Sequence, residues 1–137
     1  MKISTAIALG RHLIKPRAGV HLNMSSRSGC AWGMVNVSAP SNYLQLLYMA
    51  RRMPKELPCE CRNEQRAIGG GMLSLPISAF TNFADAIVHL FNDHVMTRKD
   101  WTMDQLIDWV AANEPPDPEE AVTEHDSEEQ PQTLVRA

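Results

Sequence analysis

Two cysteines, Cys59 and Cys61, stand upstream of two histidines, His89 and His94, that close a helical pattern. Two thiols on a loop and two imidazoles on a helix form the donor set of a tetrahedral Zn²⁺ site with every position filled by protein. No other feature of the 137-residue chain constrains its fold as much, because loop and helix must then meet at one point. The spacing is not that of a standard finger. His89 and His94 are five residues apart, about 140° around an ideal α-helix, so they do not share a regular helical face. A second histidine can still reach the metal where its helix ends and bends, and Asn92-Asp93-His94 reads as such an end. The cysteines are separated by one residue rather than two, and the 27 residues from Arg62 to Val88 exceed the usual finger loop. Glu60 is placed to orient a ligand by hydrogen bonding. Should the short spacing cost a ligand, Cys30, Asp93 and His12 are the substitutes.

The remaining composition fits one small domain. Apolar residues make up 44% and aromatics only 6%, so the core must rest on Leu, Ile, Val, Ala and Met. From Glu114 onward there are eight acids and one base, giving −7, whereas residues 1–113 hold twelve bases and eight acids, giving +4. The expectation is one helical domain over 1–113 and an acidic, proline-bearing, disordered tail over 114–137. Three cysteines make no disulfide framework, and Cys59 and Cys61 are too close to bridge comfortably. The N-terminus lacks an apolar run of signal-peptide length, and no run suits a membrane span. A cytoplasmic, reducing setting is therefore expected, where thiols are structural, metal-binding or catalytic.

Apolar periodicity predicts a helix from Ser4 to Ile14, stopped by Lys15-Pro16. Val20, Leu22 and Met24 alternate as a short strand, and a helix runs from Cys30 toward Val37. Another spans Asn42 to Met53, with Tyr43, Leu46, Leu47 and Ala50 inward. Pro54 and Pro58 frame the cysteine loop, and Gly69-Gly70-Gly71 breaks the chain without the lysine and hydroxyl of a phosphate-binding loop. A strong helix begins at Thr81 or Asn82 and ends at His94. The last starts at Thr102, where Gln105 completes a capping box, and stops before Pro115. The predicted fold is mostly α: four to five short helices around one core, a short β pair and a zinc-knuckle-like loop.

The segment Ile87-Val88-His89-Leu90-Phe91-Asn92-Asp93-His94, followed by Trp101-Thr102 and a helix containing Asp108-Trp109-Val110, resembles a set of small uncharacterised bacterial and phage-associated proteins. Their pattern is a His-Leu-Asn-Asp-Asp-His helix, then Trp-Thr, then a helix ending in Asp-Trp-Val. The resemblance extends to the opening Ile3-Ser4-Thr5-Ala6-Ile7, the Lys15-Pro16 step, Cys30-Ala31-Trp32-Gly33 and a cysteine pair before the histidine helix. It covers residues 1–113 and implies that the Cys and His positions form one set. Two departures stand out: the cysteine pair is shortened, and the stretch from Val95 to Asp100 is longer. The resemblance implies a shape and no activity.

Other residues have plainer readings. Cys30 at a helix start could act as a nucleophile with His89 or His94 in a cysteine-dependent hydrolase, but Ala31 and Gly33 beside it suit a buried structural thiol. Trp101 and Trp109 read as core anchors rather than base-stacking platforms. Arg51, Arg52, Lys55, Arg62 and Arg66 surround the cysteine loop and could contact phosphates, though a solvated helix end accounts for them as well. His125 lies in the tail. With Cys59, Cys61, His89 and His94 all on the metal, no position is left for a water or substrate. The expectation is a non-enzymatic binding or regulatory module stabilised by structural zinc, with a protein or nucleic-acid partner and no membrane. A metal-free helical interaction scaffold is the third reading.

Overall fold

The computed structural model describes residues 1–61, 65–68, 73–76 and 80–116, with 65–68, 73–76 and 80 described by their backbone alone. The fold is mostly α with short β elements. The helices are α1 (Ile3–Gly10), α2 (Ala31–Ser38), α3 (Tyr43–Arg51), α4 (Phe83–His89), which continues into a π-helical segment (Leu90–Arg98), and α5 (Met103–Asn113). The strands are β1 (Lys15–Pro16), β2 (Leu22–Asn23), β3 (Ser28–Gly29), β4 (Pro54–Glu56), β5 (Gln65–Ile68), β6 (Leu73–Pro76) and β7 (Phe80–Asn82). They form three small sheets: β1-β3-β2, with β1 parallel and β2 antiparallel to β3, and the antiparallel pairs β4-β7 and β5-β6.

The core gathers the apolar faces that the periodicity predicts. Ile3 and Ile7 of α1, Met34 and Val35 of α2, Phe83 and Ile87 of α4, Leu90 and Phe91 beyond it, and Leu106 and Val110 of α5 are all fully buried. Gly10 sets the spacing of α1 against α2. A Cβ there would lie 2.2 Å from the Met34 carbonyl oxygen, so the two backbones approach as only glycine allows. Likewise a Cβ on Gly33 would lie 2.0 Å from the His21 carbonyl oxygen, which lets the β2 segment lie on the start of α2.

α1 is shorter than its periodicity suggests. It ends at Gly10 rather than Ile14, because Lys15 and Pro16 pair with Ser28 and Gly29 and draw the chain out of helical geometry. Ile14 nonetheless reaches the core. α5 carries the predicted capping box, Thr102 Oγ1 accepting from Gln105 N–H and Gln105 Oε1 accepting from Thr102 N–H. Glu114, read from the sequence as the first tail residue, is part of the fold: its carboxylate accepts from both the N–H and the hydroxyl of Ser4 at the start of α1. The triple glycine at 69–71 and the rest of the acidic stretch, 117–137, lie outside the described residues. No helix among the described residues is long and apolar enough to cross a membrane.

Candidate metal centre

The β4-β7 ladder brings the cysteine loop to the histidine helix. Pro54 pairs with Asn82, Lys55 with Thr81 and Glu56 with Phe80. The Phe83 N–H then donates to the Met53 carbonyl at 2.7 Å, fixing the first residue of α4 against the end of the preceding helical region. Asn82 caps α4 by accepting from Asp85 N–H at 2.7 Å. From this anchor the loop runs alongside the helix. Buried Leu57 packs with Ala86, Cys59 Sγ lies 3.2 Å from His89 Nε2, and Cys61 Sγ lies 3.4 Å from His94 Nε2. Glu60 faces solvent while its two neighbours turn inward, so a one-residue gap is enough to present both thiols to the helix.

A register change brings the two histidines together. The helix does not end at His94, as the sequence reading expects, but continues to Arg98 with π-helical geometry from Leu90. In a π-helix the hydrogen bonds run between residues five apart, so such residues stack where an α-helix would spread them. The His89 and His94 rings are 5.1 Å apart, edge to face. The wide turn carries further support: Thr97 Oγ1 donates to the Asn92 carbonyl at 2.7 Å. Lys99 leaves the helix in the left-handed conformation (φ 60°), and the N–H groups of Asp100 and Trp101 both return to the His94 carbonyl.

One ligand atom from each of Cys59, Cys61, His89 and His94 lies within 4.8 Å of all the others. Cys61, His89 and His94 are buried, and Cys59 is half-buried. Tetrahedral zinc with ordinary bond lengths places a sulfur and a nitrogen ligand about 3.5 Å apart, and the two Sγ···Nε2 distances of 3.2 and 3.4 Å are close to that. The remaining ring nitrogens are held from behind. His89 Nδ1 lies 2.8 Å from Asp93 Oδ2, and His94 Nδ1 lies 3.0 Å from Asp100 Oδ1. A carboxylate at Nδ1 selects the tautomer with the proton there, which leaves the Nε2 lone pair facing the sulfurs. Arg98 Nη1 donates to Cys61 Sγ at 3.3 Å. The cluster is therefore compatible with metal binding in its donor types, distances and supporting hydrogen bonds.

The four residues named from the sequence come together in one cluster, and the carboxylates behind the histidines are an addition from the structure. Glu60, proposed to orient a ligand, is exposed, and the carboxylates at the histidines are Asp93 and Asp100. Asp93, a substitute ligand in the sequence reading, stands four residues after His89, the helical spacing for a contact on one face, and that spacing is the signal for it. Asp100 lies beyond the π turn and carried no periodic signal. His12 is exposed. Cys30 lines a cleft with His21 and Tyr43, and burial raises its thiol pKa above the ordinary value. His89 and His94 have both ring nitrogens engaged elsewhere, and neither bonds to Cys30. Of the basic residues near the loop, Arg52 binds the Tyr48 hydroxyl and Lys55 Nζ lies 5.6 Å from the Phe83 ring centre. The side chains of Arg62 and Arg66, and His125, lie outside the described residues. Trp101 and Trp109 pack half-buried against the core, as expected of anchors.

No family model, no curated protein and no solved structure matches the chain.

Proposed function

We propose that this protein is a small zinc-stabilised binding module, with the metal structural and held by Cys59, Cys61, His89 and His94. The observation that supports this most directly is the convergence of two sulfurs and two Nε2 atoms whose imidazoles are both fixed by carboxylates. Two thiolates neutralise a divalent ion, and sulfur with imidazole suits zinc over harder cations. Four protein ligands leave no open position for a water or a substrate, so the metal contributes folding energy rather than catalysis. Two reduced thiols fit a reducing compartment, which favours a cytoplasmic location. The basic balance of residues 1–113 favours an anionic partner.

Elemental analysis of protein purified without a histidine tag tests the reading, with Cys59→Ser alongside. About one zinc per chain, absent from the variant, and loss of helical signal on chelation are the expected results. Metal-free protein that keeps its fold would overturn the zinc module and leave a plain helical scaffold.

A further inference from the structure

A cleft of about 110 Å³ is bounded by the start of α2, by α3 and by the stripe of the long helix that carries Asp85, Val88 and Asn92. Asn92 is only 5% exposed. Its Oδ1 accepts from Gly19 N–H at 3.1 Å, which fixes the orientation of the amide. The Nδ2 group is the end left over, and among the described residues nothing accepts from it. A buried amide donor is normally satisfied, so the cleft is built for something that brings an acceptor. The walls are aromatic: Trp32 is buried, and Tyr43 and His21 are joined by a 3.1 Å contact between the hydroxyl and Nε2. Exposed Arg51 and half-buried Asp85 also line the cleft, and Asp85 Oδ2 accepts from Asn82 Nδ2 at 3.2 Å.

The chemistry of these lining groups points to a ligand class. Asp85 and Asn92 are seven residues apart on one helix, roughly 10 Å along its axis. A flat ring with acceptor atoms would meet both the aromatic lining and the Asn92 amide. Asp85 offers an acceptor for a hydroxyl, and Arg51 offers a cation for a phosphate. A purely apolar ligand would leave the Asn92 amide unmatched, and a second negative group near the mouth would face Asp85. We propose that this cleft binds one unpaired nucleotide, base inward and phosphate on Arg51. The nucleotide is either a free monophosphate or one member of a single strand. The second source has a path along α3, where Tyr48 is 62% exposed and the Arg52 guanidinium stands 5.2 Å from its ring centre. The site uses none of the four metal ligands, so it stands or falls separately from the zinc reading.

The test is calorimetric titration of the full chain, as purified and with its metal content recorded, at low salt. The probes are AMP, GMP, CMP and UMP, a ten-nucleotide single strand of mixed sequence, and its duplex. Two variants separate the contacts. Asn92→Asp keeps the acceptor for Gly19 and removes the free donor, while Arg51→Gln removes the surface cation with no buried change. Saturable binding of a monophosphate, or of the strand at least tenfold over the duplex, is expected, weakened about tenfold in each variant at unchanged metal content. Binding of the monophosphate assigns a free nucleotide, and binding of the strand alone assigns a nucleic acid. No saturable binding of any probe, or equal binding by wild type and Arg51→Gln, would overturn the proposal and leave water as the partner of Asn92.

Discussion

Removing the carboxylate behind His89 is the sharpest test of how this centre is built. In Asp93→Ala the four proposed ligands stay in place, but the imidazole loses the 2.8 Å contact that sets its tautomer and orientation. Losing such a support costs about 10- to 100-fold in metal affinity, which is about 1.4–2.8 kcal/mol at 1.4 kcal/mol per tenfold. The structure places the two supports differently within that range. The Asp93 side chain is 17% exposed and that of Asp100 is 52% exposed. Water can replace Asp100 at His94 far more readily than it can reach behind His89, so Asp93→Ala belongs at the upper end and Asp100→Ala at or below tenfold. Asp93→Asn, which keeps an acceptor oxygen, falls between. Competition for zinc against a chromogenic chelator measures all three, and cobalt substitution checks that the sulfur charge-transfer bands persist. If Asp100→Ala costs more than Asp93→Ala, or neither variant differs from wild type, the carboxylates do not orient the ligands and the argument fails.

Other consequences follow from packing and burial. Gly10→Ala puts a Cβ against the Met34 backbone, 2.2 Å from its carbonyl oxygen; overpacking of this kind costs about 1–3 kcal/mol, read as a Tm lowered by several degrees in a thermal melt. Burial holds the His21 pKa below its ordinary 6.5, so its neutral form supports the fold. That contribution is present above pH 6.5 and is lost as pH falls through the lowered value, and urea midpoints between pH 7.5 and 5 should fall more steeply in wild type than in His21→Gln. Burial holds the Cys30 pKa above its ordinary 9.0. Alkylation of Cys30 by iodoacetamide, followed site by site by mass spectrometry, should be slower than that of free cysteine at pH 8 and should still be rising above pH 9; fast labelling at pH 7 would restore Cys30 as a nucleophile.

Much of this molecule is legible in the chain itself. The apolar faces of α1, α3, α4 and α5, the Thr102–Gln105 capping box and the pairing of Cys59 and Cys61 with His89 and His94 as one donor set follow from local periodicity and from donor chemistry. Both are properties of short stretches, so no knowledge of the fold is needed to find them. Three things were decided only by tertiary structure. α1 stops at Gly10 because Lys15 and Pro16 pair with a strand thirteen residues on. The five-residue histidine spacing works because the helix widens into a π turn, a change in backbone hydrogen bonding that an apolar pattern of mean period 3.6 does not register. Asp100 reaches His94 because Lys99 reverses the chain after that turn. Ligand identity belongs to residue chemistry, which sequence carries directly, whereas the position and orientation of each ligand depend on contacts between segments far apart in the chain, which exist only once it has folded.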